Sequence, residues 1–204
     1  MRRSEFHVKD PQLIEHLLEE AEHLHLGCLA PDGFPYVTAV NYAWVNQKVY
    51  IHSSLKGQKV SFIQQNNKVY LSLAEPFAFI PSWATDPDVA CGATQFFQSV
   101  HIKGTALLVQ DLDLKAAVMA SMMKKMQPEG RHLDLSDPKH RAPLKGMALI
   151  EVTPEMISAK FKFGQNLKGK KRESVIAALE KSTDPRAQQT LLWIESLVPE
   201  DPEV

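Results

Sequence analysis

The chain has little of what marks most specialised protein classes. It has two cysteines in 204 residues, Cys28 and Cys91. They lie far apart and match no metal-ligand spacing, so both are predicted to be reduced thiols in a reducing compartment. No stretch approaches the roughly 18 apolar residues that a membrane span needs, and no apolar run of signal-peptide length follows the arginines at positions 2 and 3. A cytoplasmic location is the expectation. With 23 Lys+Arg against 24 Asp+Glu the formal net charge is -1, so no global field draws the protein to nucleic acid or to an anionic membrane, and any basic site has to be local. There is no internal repeat, no low-complexity segment and no Gly-rich nucleotide loop, and no catalytic triad or carboxylate pair is evident.

What is present centres on Pro35 to Leu73. The length suits one domain, or one domain with an appendage, burying roughly 70% of its unfolded surface. Val37 to Val45 and Lys48 to His52 are rich in β-branched and aromatic residues around Asn46-Gln47, which predicts an antiparallel hairpin. The second strand runs into Ser53-Ser54-Leu55-Lys56-Gly57-Gln58-Lys59, a turn that opens a short helix from Gln58 to Gln65, followed by a strand from Lys68 to Ala74. The first N–H groups of a helix lack intrahelical partners and carry positive partial charge, so an anion is stabilised there. Serine hydroxyls and two lysines surround this helix start. Spacing alone leaves two readings open, a phosphate grip and a solvated turn with ordinary surface lysines.

Before that stretch, Asp10-Pro11 and the apolar positions Leu13, Ile14, Leu17 and Leu18 predict a capped helix. His23 to Leu29 alternates as a strand. His23 and His25 share a face there, but no carboxylate at a fixed spacing joins them and Cys28 in a ligand set, so they read as partly exposed strand histidines and no metal is assigned. After it, Glu75 to Phe97 reads as a long loop carrying Phe77, Phe79, Trp83 and Phe96, either a lid or a loop pinned by its aromatics. Gln98 to Val109 alternates as a strand with Gly104 as a possible bulge. A helix to Met126 with Leu114, Ala117, Val118, Met122 and Met126 on one face follows, its methionines read as core or subunit-interface filler. Ala148 to Val152 is a final strand. Lys160, Lys162, Lys168, Lys170, Lys171 and Arg172 then precede two helix patterns without an intervening acid. They read as a solvated basic turn, a second anion contact or a local nucleic-acid patch.

Taken together, PYVTAVNYAWV, KVYIHSSLKGQKVSFIQQNNKVYLSL, ACGATQFFQSVHIKGTALLV and ALIEVTPEMISAKFKFGQN resemble the pyridoxamine 5'-phosphate oxidase-like flavin-binding split-barrel superfamily, in its branch of nitroimidazole-resistance and flavin-nucleotide-binding proteins. The resemblance implies an α+β, mainly β fold: a six-stranded antiparallel split β-barrel over residues 1–160 with flanking helices, and a basic helical appendage over 161–204. It also implies FMN bound between the subunits of a homodimer. Tyr36, Val37, Thr38, Ala39, Val40 and Asn41 would lie along the isoalloxazine. Ser53, Gln58 and Lys59, with His52 and Ser54 adjacent, would hold the phosphate. Gln98 and Ser99 would approach from another strand. The oxidases that form pyridoxal phosphate carry an Arg-x-His motif that is missing here, where Arg131-His132 is adjacent and elsewhere, and Gln58 stands where many carry Arg. The function implied is a flavin-dependent oxidoreductase acting on a small molecule with electrons from NADH or NADPH. A flavin-binding regulator with a DNA-contacting basic tail and a haem-binding split-barrel protein are the alternatives. His52 and His101 are the nearby candidates for proton donors.

Overall fold

The computed structural model describes residues 3–86 and 88–197. Eight strands form one antiparallel sheet: β1 (His7–Val8), β2 (His23–Leu29), β3 (Pro35–Asn41), β4 (Ala43–Val45), β5 (Lys48–Ser54), β6 (Lys68–Ile80), β7 (Thr94–Val109) and β8 (Met147–Lys162). Their order is β3-β2-β6-β7-β8-β5-β4, with β1 added on β8. The helices are α1 (Pro11–Glu20), α2 (Gln58–Gln65), α3 (Leu112–Met126), α4 (Arg141–Gly146), α5 (Lys170–Glu180) and α6 (Ala187–Leu197). No described helix is long and apolar enough to cross a membrane.

The six-stranded barrel implied by the resemblance is corrected in two respects. The hydrogen-bonded path runs open from β3 to β4, and the described residues form eight strands. The first extra strand arises because the predicted Val37 to Val45 strand breaks at Tyr42, whose buried phenol donates to the Leu18 carbonyl at 2.7 Å. The part before the break pairs with β2, with Tyr36 opposite Cys28. Only the part after it forms the predicted hairpin with β5, across Asn46 and Gln47 at φ 51° and 60°, the left-handed pair that a two-residue turn requires. The second is β1, which pairs His7 with Lys160.

The chain divides into two compact units. The central one comprises Asp10–Leu73 and Val100–Ser158. Asp10 caps α1, accepting from the Gln12 N–H at 2.9 Å, with Pro11 at the first helical position. In β2, Leu24, Leu26 and Cys28 face the core, while His23, His25 and Leu29 face outward, as period-two alternation dictates. Asp111 caps α3, and Val118 and Met122 of that helix pack on Ala43, Tyr50, Val109 and Leu149. The methionine face is thus core filler at Met122, but Met126 is exposed. Gly104 is no bulge. A Cβ there would come within 2.4 Å of the Thr153 carbonyl oxygen, so the residue is glycine because the β8 backbone passes close.

The other unit comprises the described residues within Met1–Lys9, Ala74–Ser99 and Ala159–Val204. Its core is aromatic. Phe163 meets Phe77 edge-on at 4.9 Å and stacks on Trp193 of α6 at 5.6 Å. Thr190 accepts from the Ala78 N–H at 3.1 Å. The C-terminal helices therefore share a core with strand residues. Two expectations were too short for the same reason. β6 runs to Ile80 and β7 starts at Thr94, so the predicted loop from Glu75 to Phe97 reduces to residues 81–93, and β8 continues ten residues past Val152. Phe77, Phe96 and Phe161 are buried on the prolonged strands, and Phe163 is buried just past the end of β8. Local pattern reads their turn residues Pro76 and Pro154 as breaks, and burial of the aromatics overrides it.

Candidate functional site

In the central unit, β5 delivers the chain into the hydroxyl-rich turn with its side chains already sorted. His52 and Ser54 are exposed on one face, and Ser53 is buried on the other. The turn closes by a hydrogen bond from the Gly57 N–H to the Ser54 carbonyl at 3.0 Å, while the Ser54 hydroxyl accepts from the Lys56 N–H at 3.3 Å. Gly57 is the N-cap of α2, and no side chain caps it. The Gln58 and Lys59 N–H groups at the start of the helix consequently have no intrahelical acceptor. A Cβ on Gly57 would stand 3.0 Å from the Ser53 hydroxyl oxygen. The small cradle between the Ser53 hydroxyl and the helix start exists because residue 57 has no side chain to fill it.

Val60 and Ile63 seat α2 in the core. Its remaining aromatic, Phe62, meets the ring of Tyr36 edge-on at 5.4 Å. That contact ties the helix to β3, which ends the sheet and pairs only with β2, and which also lies beside β5 without pairing to it. An edge strand presents unpaired backbone N–H and C=O groups on its free side. Along β3 the side chains alternate, with Val37, Ala39 and Asn41 exposed and Tyr36, Thr38 and Val40 half-buried. Eleven of the predicted residues thus lie on three contiguous pieces, Tyr36 to Asn41 on β3, His52 to Ser54 at the end of β5, and Gln58-Lys59 at the start of α2.

Lys59 brings positive charge to this region. Lys59 lies close enough to Cys28 to pull its thiol pKa down, against a larger upward push from burial that leaves the thiol above its ordinary value. A buried thiol held protonated is packing, and no nucleophile is available there. The donor set of hydroxyl, free helix N–H groups and ammonium fits a phosphate monoester, with no carboxylate among the predicted residues to oppose it.

Gln98 and Ser99 lie in the terminal unit. Adjacent strand residues point to opposite faces, so their side chains diverge. Both are buried; Gln98 shares a face with Phe96, and its amide nitrogen has no hydrogen-bond partner among the described residues. Ser99 donates to the Lys160 carbonyl at 3.4 Å. A buried, unpartnered amide is costly, and sequence periodicity gave no sign of it. Of the two candidate proton donors, His52 is exposed. His101 is half-buried beside the Tyr70 ring at 5.9 Å, with its Nδ1 buried and unpartnered.

The family profile described as pyridoxamine 5'-phosphate oxidase matches residues 10–161. Several solved structures share the fold at low identity. A 5-nitroimidazole antibiotic resistance protein of Bacteroides thetaiotaomicron is 19% identical, with TM-score 0.62 over 76% of this chain and 85% of its own. A conserved hypothetical protein of Mycobacterium tuberculosis is 16% identical, with TM-score 0.65 over 82% and 93%. An FAD and haem binding protein of Mycobacterium smegmatis is 15% identical, with TM-score 0.64 over 84% and 79%. No curated protein matches the sequence. The profile spans three quarters of the chain and takes in α1 and nearly all of the sheet, and on that ground the chain belongs to the pyridoxamine 5'-phosphate oxidase family.

Proposed function

We propose that this protein binds FMN and is a flavin-dependent oxidoreductase that reduces a small molecule with electrons taken from NADH or NADPH. The observation that carries the reading is the uncapped start of α2, set beside the Ser53 hydroxyl and Lys59 on a Gly57 cradle. In this reading the Ser53 hydroxyl and the Gln58 and Lys59 N–H groups donate to the phosphate, and the Lys59 ammonium supplies charge. The free backbone edge of Tyr36 to Asn41 hydrogen-bonds the polar edge of the ring. FMN supplies the hydride chemistry. The protein's task is then to bind, orient and leave one ring face open, which agrees with a site lacking an evident acid–base pair.

The same reading makes the active form a homodimer. The outer face of β2, β3 and β6 leaves Leu29, Val37 and Tyr70 exposed around a groove of about 580 Å³, an apolar surface that a second copy would cover. Sedimentation of the purified protein tests this part, and a monomer at micromolar concentration would count against it.

The visible spectrum of the protein tests the whole. A flavin spectrum bleached by NADH or NADPH is the expected result. Protein that is colourless and cannot be loaded with FMN would sink the reading.

A further inference from the structure

The terminal unit holds a cavity of about 590 Å³ that the flavin reading does not use. Its size is that of a small-molecule site. Four cationic side chains line it, Arg3, Lys160, Lys162 and Lys171, against one carboxylate, Asp86. The ion pairs among the described residues engage none of the four cations. Lys160 and Lys162 alternate onto the same face of β8. Lys162 is half-buried, and its ammonium donates to the Thr94 hydroxyl. Burial, together with the charges of Lys160 and Arg3, holds its pKa below the ordinary lysine value. Lys160 lies over the rings of Phe6 and Phe97 at 5.5 and 5.2 Å, and Arg3 over Phe6 at 5.9 Å. These contacts hold the cations in place without neutralising them. Lys171 sits in the first turn of α5, whose N-terminus no side chain caps.

A protein gains nothing in stability by gathering like charges around a hollow and pairing none of them. The remaining walls include Phe96, Val89 and Leu167, which suit a carbon skeleton. We propose that this cavity binds a small organic anion carrying two negative charges, a phosphate ester or a dicarboxylate, through Arg3, Lys160, Lys162 and Lys171. Lysines suit either group, because each ammonium is a mobile point charge with three donors. The site stands independently of the flavin reading.

Cys91 lines the same cavity and is exposed, whereas Cys28 is buried, so thiol alkylation reads this place selectively. The test uses the full-length protein in its purified state, with iodoacetamide as the label and pyrophosphate or succinate as the protecting anion. Either anion is expected to slow labelling of Cys91 at least fivefold, and the one acting at lower concentration identifies phosphate or carboxylate as the preferred group. Lys160→Gln with Lys162→Gln should raise the protecting concentration at least tenfold, Lys160→Arg with Lys162→Arg should largely keep it, and Lys59→Ala should leave it unchanged. Anionic iodoacetate, compared with neutral iodoacetamide, provides a second measure that needs no ligand: its relative rate should fall severalfold in the double Gln variant. No protection by either anion in the native protein, or protection indifferent to the double Gln change in a variant with native circular dichroism, overturns the proposal. Because the label needs no flavin, a colourless protein that still shows anion protection would reject the proposed function and keep this site.

Discussion

Lys48 and Lys162 are both strand lysines with partly buried side chains, and their surroundings differ in one respect. Lys48, in the central unit, donates to Glu151 at 2.6 Å, and the Tyr50 hydroxyl donates to the other oxygen of the same carboxylate at 2.8 Å. Lys162, in the terminal unit, has a neutral hydroxyl for a partner and cations for neighbours. The first arrangement is complete: each charge introduced into the sheet has its counter-charge and its hydrogen bonds. The second is complete only with an anion supplied from outside. Lysine content therefore says little about function, and what discriminates is whether the fold furnishes a carboxylate. The start of α2 falls on the same side of the comparison as Lys162. Its free N–H groups and Lys59 meet no acceptor from the predicted site residues.

The comparison is most sharply broken by removing the counter-charge at Lys48. Glu151→Ala leaves a partly buried ammonium and a buried phenol without their acceptor. It should cost about 2 to 3 kcal/mol in urea unfolding, less than the 3 to 5 of a fully buried pair because water still reaches Lys48. An unchanged midpoint would mean that the pair is not a structural element.

At the other kind of site, Lys59→Ala should leave stability nearly unchanged and weaken FMN binding by about 1.5 to 3 kcal/mol, the range of a charge-assisted contact. Equal FMN affinity in the two proteins would remove Lys59 from the phosphate grip.

The paired site should also show in the pH dependence of stability. Burial pushes the Glu151 carboxyl up, but the hydrogen bonds from Lys48 and Tyr50 and the charge of Lys48 outweigh it and leave the pKa below the ordinary value. A depressed carboxyl contributes stability that is present above its unfolded pKa of about 4.3 and is lost as pH falls through the lower folded value. The Tyr50 phenol is pushed up to about 12, by burial first and then by its bond to Glu151. Its contribution is present below the unfolded pKa of about 10 and is lost as pH rises through the folded one. Both dependences should flatten in Glu151→Gln, as unfolding midpoints at pH 3 to 5 and pH 10 to 12 would reveal.

The smallest expected effect has the opposite sign. Lys162→Met removes a half-buried charge that has no counter-ion and should leave stability unchanged or raise it by less than about 1 kcal/mol. A loss comparable to that of Glu151→Ala would show that Lys162 is a structural residue after all and would erase the distinction.

The turn from Ser53 to Lys59 was legible because every part of it is local. Strand, turn and helix follow one another along the chain, the helix ends where periodicity placed it, and the Asp10 cap likewise needed only a few neighbouring residues. Legibility failed where one stretch serves two partners. Val37 to Val45 reads as one strand by composition, and only the reach of Tyr42 to Leu18 breaks it into a piece on β2 and a piece on β5. The opposed faces of Gln98 and Ser99 follow from alternation. That the Gln98 amide finds no partner does not, because satisfaction depends on residues distant in sequence.

The basic run from Lys160 to Arg172 marks the boundary between the two kinds of information. Sequence by itself determined that lysines gather there without an acid, that α2 begins with free N–H groups beside serine and lysine, and that the chain carries no long apolar span. Tertiary structure alone decided which of those lysines share a cavity. It set Lys160, Lys162 and Lys171 around the same hollow as Arg3 and Asp86, while Lys168 does not line it. It also decided that the lysine at position 48 would meet a carboxylate more than one hundred residues away, at Glu151. The reason is physical. A helix start or a capped turn is fixed by torsion angles and hydrogen bonds spanning a few residues, whereas the pairing of a charge is fixed by whatever the sheet register brings beside it.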